Sequence, residues 1–188
     1  VNFVKAFELA GDISQRKDFE ETDLKYIHKT LTENILPKVK QGVYRENKIS
    51  ASTEPAEILA AIVQLFDWLY SAEVRESQPI ITAAVVSATL ELISPFENYN
   101  SYISALSANI IMSSGGYSFK NFLNILSYQY KSKYSYSQQI KSINPAEPDF
   151  TGWIDYFTED LAMEISTIRE KVKLLAKDTK IAKATGRT

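Results

Sequence analysis

Ser94, Asn98, Asn100 and Ser101 stand in one short polar stretch between two apolar segments, with Pro95 and Phe96 among them. Pro, Asn and Ser at this density make a loop that ends one helix and starts the next. A helix starting near Asn100 turns unsatisfied N–H groups and the positive end of its dipole toward that loop, which is a generic anion site. Tyr99, Asn100 and Ser101 are therefore the candidates for a weak anion or nucleotide site. Two other groups carry chemistry. His28, the only histidine, reads either as a general base or as a structural residue; it has no carboxylate at i±3 or i±4, which favours the structural role. Tyrosines and lysines interleave from Tyr128 to Tyr136, a pattern that serves either to stack single-stranded nucleic acid or to pack tyrosines inward with lysines outward. The second reading makes nucleic acid an unexpected partner.

Composition narrows the classes. The chain has 188 residues, 45% hydrophobic and 23% charged, and carries a formal net charge of -2. That is enough chain for one domain with its own core, and the charge argues against a dedicated nucleic-acid or acidic-membrane binder. The absence of cysteine excludes disulfides and thiolate metal sites and fits a reducing cytosol, so the expected location is cytoplasmic. Ser77 to Leu90 is uncharged and apolar but too short to span a bilayer, and Lys5, Glu8 and Asp12 interrupt any signal-peptide pattern. No membrane partner is expected. The start at Val1 rather than methionine suggests a trimmed piece of a longer protein.

Helices must position the loop. Val1 to Ala10 reads as a short helix stopped by Gly11-Asp12. Asp23 to Ile35 is a second, capped by Thr22, with Leu24, Ile27, Leu31 and Ile35 on one face and Pro37 as its end. Val43, Tyr44, Lys48, Ile49 and Ser50 flank a polar Glu46-Asn47 turn and suggest a short β-hairpin, with a plain polar connection as the alternative. Ser52-Thr53-Glu54-Pro55 starts a helix running to about Ala72, striped by Ile58, Ile62, Leu65, Phe66 and Leu69. Ile80 to Ile93 is apolar almost all round, with small residues permitting close approach, and is expected at the centre. Asn100 to Ser113 follows, ended by Gly115-Gly116, and then a shorter helix around Phe119, Phe122, Leu123 and Leu126. After a break at Asn144 to Pro148, a long helix capped by Thr151 carries Trp153, Phe157, Leu161, Ile165 and Ile168. The Lys-rich end from Arg169 reads as frayed, so residues 1–176 form the domain and 177–188 a tail or the start of a further region.

Ile93-Ser94-Pro95-Phe96-Glu97-Asn98-Tyr99-Asn100-Ser101-Tyr102-Ile103-Ser104-Ala105 resembles the Fic-domain signature His-Pro-Phe-x-Asp/Glu-Gly-Asn-Gly/Lys-Arg-x-x-Arg. Leu24 to Leu31 is similar to the Leu-x-x-Leu-His-x-x-Leu helix that precedes it, Gly42-Val43-Tyr44-Arg45 to the family's Gly-x-Tyr-Arg, and Asp149 to Phe157 to the segment that closes such domains. The resemblance implies an all-α Fic-like bundle with a central helix-loop-helix and a β-hairpin flap. In active members the loop holds ATP and transfers AMP to a hydroxyl side chain, while the flap adds a strand to an extended target.

Pro95, Phe96 and Asn100 match that signature, and the chemical positions do not. Ser94 replaces the histidine, Asn98 the acid, Tyr99 and Ser101 the glycines, and Tyr102 and Ala105 the arginines. Loss of a general base costs roughly 10²–10⁴-fold and loss of an arginine clamp roughly 10³–10⁵-fold, without simple multiplication. Tyr99 fills space a glycine would leave for phosphates, and neutral Asn98 disfavours Mg²⁺. The resemblance thus implies no catalytic residues, no metal and no cofactor, with ATP and Mg²⁺ only if residual binding survives. The expected function is a degenerate Fic-like module that binds a protein or peptide, with the flap as the candidate surface. The alternatives are a weak or rearranged adenylyltransferase and an unrelated helical adaptor.

Overall fold

The structure, a computed structural model, describes residues 1–49, 53–117 and 133–184. Among the described residues there are eight α-helices and no strand. They are α1 (Asn2–Arg16), α2 (Glu21–Thr32), α3 (Ile58–Leu69), α4 (Ala72–Arg75), α5 (Pro79–Ile93), α6 (Asn100–Ser114), α7 (Lys133–Ser142) and α8 (Thr151–Ala184). Single 3₁₀ turns occupy Lys38–Lys40 and Pro55–Glu57. The bundle is all-α, as the periodicities require.

Helix α5 is its axis. Eight of its residues are buried, most of them small, including Ala83, Ala84, Ser87 and Ala88, and they let α6 lie closely along it while α3 and α8 cover other sides. One apolar cluster joins α1, α2, α3, α5 and α6 around Leu24, Ile27, Ile62, Leu90 and Phe96. The other is built on the alanines of α5 and α6 and closed by Trp153, Phe157 and Leu161 of α8. Trp153 is fixed in register because its indole N–H donates to the Ala84 carbonyl at 2.7 Å, satisfying a polar atom that burial would otherwise penalise.

Several boundaries depart from the sequence reading. Helix α1 runs through Gly11, which is not in the left-handed region and so costs the helix only a modest propensity penalty. Helix α2 is capped by Glu20 rather than Thr22, in a reciprocal capping box with Asp23. Helix α3 spans its apolar stripe, Ile58 to Leu69, but is shorter than the expected run to about Ala72, and a 3₁₀ turn at Pro55–Glu57 precedes it. Gly115 is required less for a left-handed turn than for packing: a Cβ there would sit 2.4 Å from Pro79 Cγ, where α6 ends against the start of α5. Helix α8 is continuous from Thr151 to Ala184 and carries the Lys173–Glu170 pair at 2.7 Å. The short helix around Phe119 to Leu126, and Tyr128 to Lys131 of the tyrosine–lysine run, lie outside the described residues. Among the described residues no helix is long and apolar enough to cross a membrane.

Candidate functional site

The loop between α5 and α6 is built from the inside outward. Ser94 ends α5 in the left-handed conformation (φ 45°), with its N–H on Leu90 O at 2.9 Å and its hydroxyl donating to Glu91 O at 2.6 Å. Phe96 then enters the core, fully buried, and lies parallel to the His28 ring at 4.0 Å with Tyr44 at 5.3 Å. The Asn100 side chain closes the turn by accepting from Phe96 N–H (2.9 Å) and donating to Phe96 O (2.8 Å). Tyr99, also left-handed at φ 64°, starts α6 without a side-chain cap.

Arg45 anchors this loop from the preceding connection. It is 3% exposed. Its guanidinium donates to the carbonyls of Ser94 (2.7 Å), Ile93 (3.2 Å), Asn47 (2.8 Å) and Thr53, and its N–H donates to Pro95 O at 2.9 Å. A cation on the last carbonyls of α5 satisfies acceptors the helix leaves open and meets the negative end of its dipole. Residues 43–49, the described part of the expected hairpin, form no strand. Ser50 lies outside the described residues. Gly42, at φ 71°, meets the Lys25 carbonyl so closely that a Cβ would clash at 2.8 Å, and its N–H donates to His28 Nδ1 at 2.9 Å.

That bond fixes the histidine tautomer. With Nδ1 accepting, the neutral ring carries its proton on Nε2, which is buried. Burial lowers the His28 pKa from 6.5 to about 4, only partly opposed by the Asn98 backbone. His28 is thus a neutral wall of the core at physiological pH.

Outside the loop lies an open cleft of about 560 Å³. Ser94, Asn98, Tyr99, Asn100, Ser101 and Tyr102 line it together with Ile35, Leu36 and Glu91. No Lys, Arg or His is among these lining residues. Glu91 is the one carboxylate, accepting from Tyr136 OH at 2.7 Å and from the Ser101 hydroxyl. Burial raises its pKa above the ordinary carboxylate value against both hydrogen bonds. Tyr99 and Tyr102 rings meet at 5.7 Å, and Tyr102 packs edge-on to Phe3 at 5.8 Å. At the rim Lys40 is paired with both oxygens of Glu97 (2.8 and 2.9 Å). Ala105 does not reach the cleft; it is buried in the alanine-rich cluster. Among the described residues no three His, Cys, Asp or Glu side chains gather as a metal ion would need.

The sequence reading brought Ser94 and Asn98 to Tyr102 to one place, and missed two residues. Arg45 was visible only as part of a phrase. Glu91 had a signal: it is the sole charged residue of α5. Tyr136 points inward to it, which settles the role of that tyrosine in the interleaved run.

Taken together, the helix-loop-helix on a central apolar helix defines a Fic-type domain. A family model of the Fic/DOC family matches residues 18–112, and the chain belongs to that family. Similar solved structures include a Fic family protein from Desulfovibrio desulfuricans G20 (TM-score 0.70, 18% identity, 92% of this chain and 52% of that one). Fic-1, residues 134–508, from C. elegans is similar at TM-score 0.72 and 18% identity, with 94% and 52% covered. A Fic domain containing signaling protein from Bacteroides thetaiotaomicron VPI-5482 gives 0.72 and 17%, with 89% and 69% covered. At these identities the likeness is one of fold. The chain spans about half the length of the first two structures. No curated protein sequence matches it.

Proposed function

We propose that this Fic-family domain is a catalytically degenerate pseudo-adenylyltransferase, a binding or regulatory module for a protein or peptide partner in a reducing cytosol. The observation that carries this reading is the place of Glu91. Its carboxyl group lies in the cleft beside the first turn of α6, bonded by Ser101, so the helix end that would attract a phosphate already faces an acidic group of the protein. A triphosphate would find the Glu91 carboxyl already beside the helix end and no cation in the lining, so the residues present do not fit ATP with Mg²⁺. Ser94 donates its hydroxyl back into α5 and has no basic partner there.

A partner surface adjoins the same cleft. Ile35, Val39 and Val43 are 55%, 79% and 49% exposed on the connection that borders it, and uncovered aliphatic side chains at the edge of a cleft suit an extended or helical peptide. Titration calorimetry with ATP and Mg²⁺ tests the reading. No saturable binding is expected up to millimolar nucleotide; a micromolar Kd would overturn it in favour of a nucleotide-using enzyme.

A further inference from the structure

A second surface lies away from the cleft, on the outer side of α3. This helix is apolar nearly all round: Gln64 and Asp67 are the only polar residues between Ile58 and Leu69. Ile58, Ile62 and Leu65 supply its buried side. Leu59, Val63, Phe66 and Tyr70 follow at spacings of four, three and four, which places them in one stripe beside the buried side, about a quarter turn around the helix, with Phe66 partly buried against the core. Leu59 is 55% exposed, Val63 46% and Tyr70 43%. A helix of this composition is ordinarily covered on every side.

The lower half of the stripe opens into a groove of about 590 Å³ against the start of α2. Its floor is preformed. Phe19 and Phe66 meet edge-to-face at 5.3 Å, and the Tyr70 hydroxyl donates to the Phe19 carbonyl at 2.7 Å. Its rim is acidic: Glu20, Glu21 and Asp67 line it, and no Lys, Arg or His is among the lining residues. Asp18, Glu20 and Asp23 also act on the Tyr70 phenol, whose pKa is raised by burial first and by these carboxylates after it. Arg16 neutralises Asp18 and Asp23 through its bonds at 2.8 Å, leaving Glu20 and Asp67 as the charges facing outward with Glu21, which Lys25 holds at 2.6 Å.

We propose that the Leu59–Val63–Phe66–Tyr70 stripe and its acidic groove form a docking surface for a basic amphipathic helix of a partner protein. The four-three-four spacing is that of a helix-on-helix seam, so the occupant presents its own apolar stripe along α3. The carboxylate rim selects Lys and Arg on the flanks of that stripe and rejects acidic ones. Nothing in this assignment depends on whether the cleft between α5 and α6 is silent.

The test uses the full chain and three labelled eighteen-residue helical peptides of equal length. One carries a leucine stripe flanked by lysines, one the same stripe flanked by glutamates, and one the lysines with the leucines scattered around the helix. Fluorescence anisotropy is expected to show saturable binding of the first, weakening as salt rises, and at least about tenfold weaker binding of the other two. Val63→Asp, at an exposed position that leaves the fold intact by circular dichroism, abolishes binding of the first peptide. Asp67→Lys weakens it about fivefold to tenfold and lessens its salt dependence. Equal binding of the stripe and scattered lysine peptides, equal binding of the lysine and glutamate peptides, or indifference to Val63→Asp overturns the proposal. So does a concentration-dependent dimer by sedimentation that Val63→Asp dissolves, since the occupant would then be a second copy of the chain.

Discussion

The two sides of the α5–α6 loop have been treated differently. On the inner side, Pro95, Phe96 and Asn100 keep the family's residues, and the structure shows two of them at work. Phe96 is buried against His28, and Asn100 clasps the Phe96 backbone. Arg45, which also matches a family phrase, holds the end of α5. On the outer side, Ser94, Asn98, Tyr99, Ser101 and Tyr102 line the cleft, and every one departs from the family's pattern. The retained residues fold the loop, with Asn100 also bordering the cleft, and the changed ones line that cleft. On the proposed reading the loop keeps its backbone course without its chemistry, because Phe96 and Arg45 hold it from the core side.

Breaking the inner side carries the largest effects. Phe96→Ala removes a ring from the main core and is expected to cost about 3–5 kcal/mol, read as a lower midpoint in urea unfolding. Arg45→Met leaves the Ser94 and Ile93 carbonyls without their donor in a buried setting. About 3 kcal/mol is expected, since each orphaned buried acceptor costs roughly 1–3 kcal/mol. If Arg45→Met instead unfolds at the wild-type midpoint, the claim that it caps α5 is wrong.

His28 gives the same side a pH signature. Its folded pKa of about 4 lies below the ordinary 6.5. Between those values the unfolded chain takes up a proton that the folded chain refuses, so this stability is present above pH 6.5 and is lost as pH falls toward 4. At about 1.4 kcal/mol per pH unit the full loss is about 3 kcal/mol. Glu91 works in the opposite sense: its raised pKa gives stability that is present below the ordinary carboxylate value and lost as pH rises. The difference between wild type and His28→Gln isolates the histidine. Unfolding midpoints measured from pH 7 to 4 should fall more steeply for wild type than for the variant; parallel curves would contradict the neutral, buried assignment.

The fold was legible to the extent that apolar periodicity decides it. The uniform apolarity of Ile80 to Ile93 placed α5 at the centre, and the Trp153–Phe157–Leu161 spacing gave α8 its apolar face, which the structure lays on α5. Helix ends were less legible because they depend on local acceptors: Glu20 with Asp23 outcompetes Thr22, and Gly11 does not stop a helix that tertiary packing carries onward. The expected hairpin is not shown, since residues 43–49 carry no strand among the described residues. Arg45 is committed to carbonyls of a loop about fifty positions away in the chain, and no pattern within residues 43–49 announces that. Glu91 was overlooked because one carboxylate at the end of an apolar helix looks like an ordinary solvated end.

The outer side should tolerate change. Tyr99→Gly relieves a left-handed tyrosine but gives up its contact with Tyr102, and the two nearly cancel, leaving the midpoint within about 1 kcal/mol of wild type. A loss comparable to that of Phe96→Ala would erase the contrast between the two sides. Smaller still is the expected effect of a true partner on the amides of residues 43–49, which should exchange more slowly if the exposed connection contributes to docking; unchanged exchange alongside measured binding moves the interface elsewhere.

The central claim is that the outer side lacks several chemical parts together. Ser94→His restores a base yet leaves Glu91 in the cleft, Tyr99 over the phosphate space, Asn98 uncharged and Tyr102 without a cation, while an arginine at buried Ala105 would enter the core rather than the cleft. The direct measurement is incubation of wild type and Ser94→His with radiolabelled ATP and Mg²⁺, followed by detection of AMP on protein. No label above background is expected from either. Labelling by Ser94→His alone would contradict the account and place this domain one substitution from an enzyme.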